Sequence, residues 1–250
     1  MNQRDKIQGG TGFQPVISER DKILARIREA LTVPAPRPGA PIAAGRVPSP
    51  GAPGLPALAG TQARRWLPKV GETVEEQLAL FAQNAAGLKA SFELFASWEA
   101  LNTALTRLRD AEKWQRVASH QGELSAKVCK MLQLPVCWTD CGYDVLEMEK
   151  CDAGVTECDA LIAQTGSVLV TSRSAGGRAL SILPPHHVVI ARREQLVADL
   201  PAAFALIQQK YAPEYPSMIS FITGPSRTGD IERILVLGAH GPKKLTILCV

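Results

Sequence analysis

From Thr73 onward the chain keeps changing its hydrophobic period. Short apolar runs rich in β-branched residues alternate with stretches whose apolar residues recur every three or four positions. A strand that returns to its neighbour through a helix builds a parallel sheet, and such a sheet needs cover on both faces. The expected fold is therefore α/β, three layers in the order α/β/α around a mainly parallel sheet. Aromatic residues make up only 5% of the chain, so the core should be aliphatic.

The pattern predicts a helix capped by Thr73 and carrying Val74, Leu78, Phe81 and Leu88. It then predicts a strand over 91–95, a helix over 98–109, a strand over 116–119 and a helix over 122–132. Next come a helix over 156–163, strands over 166–171 and 187–191, and a helix over 193–210. A strand over 217–223, a helix over 229–237 and a strand over 244–250 complete the series. In sheets of this kind ligands sit beyond the carboxyl ends of the strands.

The N-terminal quarter reads differently. Residues 1–17 have no periodicity and form a loose extension. Ser18 offers an N-cap to a short amphipathic helix over 18–32, with Ile23, Leu24, Ile27, Ala30 and Leu31 on one side. A helix this short needs a docking surface, and a tethered one can exchange onto a second copy to make a homo-oligomer. Pro34, Pro36, Pro38, Pro41, Pro48, Pro50, Pro53 and Pro56 then forbid a helix and mark 33–60 as a linker. The α/β domain is expected over 61–250.

Composition narrows the function. The net charge is +4, with basic residues scattered and no aromatic-interleaved patch, which gives no support to a nucleic-acid surface. No run of about 18 apolar residues suits a membrane span, and the start of the chain lacks a secretory pattern. The chain is read as cytoplasmic, where Cys129, Cys137, Cys141, Cys151, Cys158 and Cys249 should stay mostly reduced. Their spacings match no zinc or iron–sulfur pattern, so small thiols are favoured over a metal site and no cofactor is expected in this chain.

The sharpest motif runs from Ile222 to Ile231. An apolar strand enters a turn holding Thr223, Gly224, Pro225, Ser226, Arg227 and Thr228, followed by Gly229 and Asp230. If the turn opens a helix, free N–H groups there favour an anion. Ser226 and Thr228 add hydroxyl donors, and Arg227 adds a planar fork suited to carboxylate or phosphate. The glycine spacing approaches a phosphate-binding loop, but Asp230 and Ile231 stand where Lys and Ser/Thr are needed, which rejects nucleotide hydrolysis. Asp230 alone is better explained as a helix cap. His240, between Gly238 and Gly241, is an acid/base or anion-donor candidate, or a turn histidine bonded to backbone. A third region offers Thr165, Gly166 and Arg178, then His186 and His187, which cannot both point one way on a strand. One of that pair should face solvent or pack, and His187 is a second acid/base candidate.

Together these stretches resemble the LUD-domain family. The family pattern has a Thr-Gly strand start, a Ser-x-Leu-Pro-x-x-His segment, a Gly-Pro-Ser-Arg-Thr-x-Asp-Ile-Glu loop and a late His-Gly-Pro. Here these are Thr165-Gly166, the stretch from Ser181 to His187, Gly224 to Glu232, and His240-Gly241-Pro242. Where the family often has Ala-Glu-Thr-Gly, this chain has Ala163-Gln164-Thr165-Gly166, so no acid/base role is carried over to position 164. The resemblance implies a scaffold similar to NagB/RpiA isomerases and CoA transferases. It also implies membership of a three-protein system oxidising L-lactate to pyruvate, with iron–sulfur proteins as partners.

Three functions compete. The first is a subunit that binds a small anion and assembles with those partners. The second is a stand-alone isomerase or CoA-transferase-like enzyme, and the third is an assembly protein without a ligand. The motifs do not decide whether the chain is itself an enzyme. The motifs carry no distinctive Glu for a CoA transferase, and the Thr223–Asp230 loop argues for a ligand.

Overall fold

In the computed structural model the chain divides into two units, Met1–Arg64 and Arg65–Val250. The described residues are 23–25, 28–29, 69–140, 142–228, 236–238 and 240–250. In the first unit, residues 23–25 and 28–29 are helical, inside the helix expected over 18–32. The rest of that helix, residues 1–17 and the stretch 33–60 lie outside the described residues.

The second unit opens with α1 (Val74–Gly87). Thr73 Oγ1 accepts from the Glu76 N–H at 3.2 Å, and the Glu76 carboxylate accepts from the Thr73 N–H at 3.1 Å. Two orphan helix donors are satisfied by this exchange. Then follow β1 (Ser91–Leu94), α2 (Trp98–Glu112), β2 (Val117–Ser119), α3 (Glu123–Leu132), β3 (Val136–Trp138), α4 (Val145–Glu149), β4 (Ala153–Glu157), β5 (Ala160–Ile162) and β6 (Ser167–Thr171). After them come β7 (His186–Ala191), β8 (Leu196–Val197), α5 (Leu200–Tyr211), β9 (Ile219–Ile222), β10 (Arg227–Thr228), β11 (Val236–Leu237) and β12 (Lys244–Cys249).

The main sheet has the order β1-β12-β7-β4-β2-β3, and every neighbouring pair is parallel. Its central strand β7 is buried at all six positions, which is why it reads as a continuous apolar run after its two histidines. On one face, Leu101 and Leu105 of α2 and Leu124, Val128 and Leu132 of α3 pack on Val117, Val155, Val188, Ile190 and Leu248. On the other face, Phe81 and Ala85 of α1 and Leu161, Val168 and Val170 pack on Val189, Ala191, Leu245 and Ile247.

That second face carries a feature the sequence did not announce, a four-stranded mixed sheet in the order β8-β5-β6-β9. α5 backs it through Ala203, Ile207 and Tyr211 against Ala160, Ile162 and Leu169. The mainly parallel sheet with both faces covered is as expected, but part of one cover is itself a sheet.

Three expected elements are corrected. The helix expected over 156–163 is instead the end of β4, a turn and β5. These strands are small and β-branched and buried on both faces, so they lack the polar stripe of a surface helix. The helix over 229–237 is contradicted at its end, because Val236–Leu237 pairs antiparallel with Arg227–Thr228; residues 229–235 lie outside the described residues. The helix over 193–210 starts late, after a 3-10 turn (Arg193–Gln195) and β8. Pro201 fits only the first turn, and Asp199 caps from just before it. No helix among the described residues is long and apolar enough to cross a membrane.

Candidate ligand-binding site

Chain direction decides where the motif loops meet. Ser181 and Ile182 precede β7, and His240, Gly241 and Pro242 precede β12, so in a parallel sheet both loops lie at the amino edge. β9 of the mixed sheet arrives there with Thr223, Gly224, Pro225 and Ser226 at its end. Together they enclose a cavity of about 220 Å³, with His187, Leu245, Met218, Ser220 and Ile222 completing the lining. The cavity thus sits at the amino ends of β7 and β12, opposite the edge expected from the fold class. The loops before parallel strands, rather than those after them, carry the motifs.

Backbone bonds fix the two loops to each other. The Ser226 N–H donates to the Pro242 carbonyl at 2.9 Å, and the Gly238 N–H donates to the Ser226 carbonyl at 2.9 Å. The anion nest read from the sequence is therefore corrected at this position: the Ser226 N–H is already engaged, and no helix begins within the described part of the loop. Gly224 holds φ +87°, and a Cβ there would stand 2.7 Å from the Leu88 carbonyl oxygen. Only glycine makes that turn at that closeness without strain. The Thr223 hydroxyl lies 2.7 Å from the Ser167 hydroxyl.

Of the residues singled out in the sequence, Thr223, Gly224, Ser226, His187 and His240 line the cavity. Arg227 is exposed on β10, and its Nη2 lies 3.4 Å from where a Gly224 Cβ would be, which puts the guanidinium beside the cavity mouth. It forms no ion pair with a described residue. Thr228 lies on β10, with its side chain outside the described part of the structure, as is Asp230 altogether. Arg178 points elsewhere, donating from Nη2 to the Ser217 carbonyl at 2.5 Å. Thr165 and Gly166 form the β5–β6 turn under α1, where Asn84 Nδ2 donates to the Ala163 and Gln164 carbonyls at 2.9 and 3.0 Å. Gly166, at φ +65°, is a packing glycine: a Cβ would meet the Ala85 nitrogen at 2.6 Å.

Both adjacent histidines are buried, so of the two outcomes open to the pair, solvent or packing, both rings pack. They take opposite faces of β7. His187 Nε2 is 2.8 Å from Thr156 Oγ1 on β4, and His186 Nε2 is 2.8 Å from Thr246 Oγ1 on β12. In each ring Nδ1 is buried without a partner among the described residues. Burial pushes the His186 pKa down to about 4, and burial with the neighbouring His186 charge pushes His187 down to about 3. Both rings are neutral near pH 7.

The carboxyl edge holds polar groups that sequence reasoning missed. An open cleft of about 380 Å³ is lined by Glu157, Cys158, Arg173, Ser174, Gln195, Lys210 and Tyr211. Its cations are committed: Lys210 Nζ donates to buried Asp159 Oδ1 at 2.5 Å, and Arg173 Nη2 donates to the Glu214 carbonyl. Glu157 Oε1 accepts from the Leu124 and Ser125 N–H groups, capping α3. The groups here bind one another, which favours the amino-edge cavity as the ligand site. Among the described residues no group of three or more His, Cys, Asp or Glu could hold a metal ion. Cys129, Cys151, Cys158 and Cys249 are buried thiols and Cys137 is partly buried; Cys141 lies outside the described residues.

Residues 146–250 match the model of the LUD domain family. That segment holds all the motif loops. The chain is similar to lactate utilization protein C of Bacillus licheniformis, with 36% identity over 109 residues, 43% of this chain and 45% of that protein. The match to lactate utilization protein C of Geobacillus sp. (strain WCH70) is 38% over 104 residues, 41% and 43% of the two chains. The match to that of Deinococcus radiodurans is 29% over 157 residues, 59% and 73%. The chain thus spans less than half the length of the first two relatives. A crystal structure of a DUF162 family protein from Deinococcus radiodurans superposes with a TM-score of 0.56 at 20% identity, over 72% of this chain and 99% of that one, which shows the shared fold.

Proposed function

We propose that this chain acts in lactate utilization as a cytoplasmic subunit of the L-lactate-oxidising system, binding a small carboxylate and assembling with iron–sulfur partners. The observation that carries the ligand part is the convergence of Thr223–Ser226, His240–Pro242 and His187 on one cavity. The similarity to lactate utilization protein C supplies the metabolic setting. At about 220 Å³ the cavity is smaller than the roughly 300–1,000 Å³ typical of sites for drug-sized ligands, so it suits a metabolite of a few carbon atoms better than a whole coenzyme A. That size weighs against the CoA-transferase reading. Turning a 2-hydroxy acid into a 2-oxo acid releases two electrons, and the iron–sulfur partners are the acceptors in this reading. The exposed residue Arg227 and the exposed ring of His240 receive the carboxylate at the mouth.

The test has two arms. The chain is co-purified with its neighbouring gene products, and L-lactate oxidation is measured with and without it. Calorimetric titration with L-lactate, pyruvate and phosphate then asks what the chain binds. Unchanged oxidation without the chain, or no anion binding with or without partners, would overturn the reading.

A further inference from the structure

One stretch of the second unit departs from the positive balance of the chain. Asp140, Asp144, Glu147, Glu149 and Asp152 stand within residues 140–152 against Lys150 alone, in a chain of net charge +4. Arg116 and Lys150 are both taken up by Glu147, at 2.7 Å each. Asp140, Asp144 and Glu149 are exposed and form no ion pair among the described residues. Between these acids Tyr143, Val145 and Leu146 are 42%, 48% and 66% exposed. No other four consecutive described residues expose three large apolar side chains. Exposed apolar residues are normal one at a time, whereas a contiguous group marks an interaction surface.

The fold holds this group in shape. Met148 seats α4, buried in one cluster with Ala118, Cys151 and Leu180. Two residues along a helix lead to its opposite side, so Leu146 faces away from that cluster. Asp144 Oδ1 caps the helix by accepting from the Leu146 N–H at 2.8 Å. Asp140 Oδ2 accepts from the Gln121 N–H at 2.9 Å, and Thr139 Oγ1 donates to the Gly176 carbonyl at 2.9 Å. A surface already fixed in this way loses little freedom on binding. The loop also follows β3, the end strand of the main sheet, where β2 is its one strand neighbour among the described residues.

Charge decides what fits there. Nucleic acid or an anionic membrane would be repelled by the unpaired carboxylates. A two-fold dimer through this patch would set the same carboxylates against each other. We propose that Tyr143, Val145 and Leu146 dock a partner protein whose own apolar socket is rimmed by Lys or Arg. This rests on the assembly reading above and names the surface that assembly uses. The acids steer the approach, and the apolar side chains supply the buried centre.

The experiment measures the affinity of the full chain for its purified iron–sulfur partners at two salt concentrations. Leu146→Ser should weaken binding at least about fivefold, as for a residue at the centre of an interface. Glu149→Lys should weaken it as well, and added salt should cost wild type more than this variant. Urea midpoints of both variants should match wild type, because both side chains are exposed. Hydrogen exchange in the wild-type complex should slow at residues 142–149, a readout that needs no variant. Partner binding that ignores both substitutions and leaves 142–149 unprotected overturns this surface but leaves the assembly reading standing. Tighter binding by Glu149→Lys overturns the basic partner. Self-association seen by light scattering and abolished by Leu146→Ser overturns it in favour of a second copy. Absence of binding to any partner overturns both the surface and the assembly reading.

Discussion

Ser226 gives its backbone N–H to the carbonyl of Pro242 at 2.9 Å, and so the loop after β9 and the loop before β12 behave as one wall of the cavity. Neither loop has regular structure to hold it. Their shape depends on this bond, its companion from Gly238 to Ser226, and glycines where the chain must turn against a neighbour. That makes the wall sensitive to single backbone-directed changes away from any ligand contact.

Gly224→Ala is the cleanest such change. The new Cβ would sit 2.7 Å from the Leu88 carbonyl oxygen on a residue held at φ +87°. A non-glycine residue in such a conformation costs about 1–3 kcal/mol, and the contact with Leu88 adds to it. Chemical denaturation should show that loss, with ligand affinity falling alongside. A variant as stable as wild type would mean that the loop rearranges freely.

Acid should destabilise the fold through β7. The folded pKa values of His186 and His187 lie at about 4 and about 3, below the unfolded value near 6.5. The unfolded chain therefore binds protons that the folded chain refuses. The stability these rings contribute is complete above about pH 6.5 and is lost as pH falls toward the folded values. Each ring can add up to about 1.4 kcal/mol per pH unit within that window. Urea denaturation from pH 7.5 to 5 should show the slope, and His186→Gln should make it shallower. An unchanged slope in that variant would locate the acid sensitivity elsewhere.

The histidine pair also shows how far the sequence reaches. That adjacent strand residues point to opposite faces follows from local geometry and was readable. That both would be buried depends on Thr156 and Thr246 on two flanking strands, and Thr156 lies 31 residues from His187. The Thr73 cap and the strands beginning at His186 and Lys244 were legible because their signals are local. β4 was not: Gly154 sits there because a Cβ would meet the Leu180 carbonyl oxygen at 2.3 Å, a tertiary reason with no local trace. The Asp159–Lys210 pair likewise joins elements 51 residues apart. The site loops were found from their glycines and prolines. Their edge of the sheet was misplaced because a general habit of parallel sheets was applied to loops that precede their strands.

At the carboxyl edge, Asp159 provides a test of a buried charge. Burial raises its pKa, but hydrogen bonds from Lys210, Ser174 and Tyr211 outweigh burial and leave it lowered. Its stabilising contribution is present above the unfolded value near 4 and is lost as pH falls below it. Lys210→Met removes the main compensation and should cost about 1–3 kcal/mol at pH 7, less than for a fully buried pair because Lys210 is half exposed. Burial then dominates Asp159, so its folded pKa should rise above the unfolded value. The gap between variant and wild type should consequently narrow as pH falls toward 4, read from denaturation midpoints. A gap independent of pH would show that Lys210 acts by packing alone.

Arg227 separates a ligand-binding cation from a structural one. It is exposed, its guanidinium lies against Gly224 at the cavity mouth, and no described residue forms an ion pair with it. A charge-assisted hydrogen bond contributes about 1.5–3 kcal/mol, so Arg227→Ala should weaken carboxylate binding about ten- to a hundredfold. Folding stability should change by less than about 0.5 kcal/mol, as for other exposed substitutions. Arg227→Lys should recover part of the affinity, because it keeps the charge but loses the two-pronged geometry. Raising salt should weaken wild-type binding more than that of Arg227→Ala, since an exposed cation is screened. Calorimetry at two salt concentrations, paired with urea denaturation of the three proteins, reads all of these outcomes. If Arg227→Ala lowers the denaturation midpoint and leaves carboxylate affinity intact, the guanidinium braces the β10–β11 hairpin and the mouth binds its anion through His240 instead.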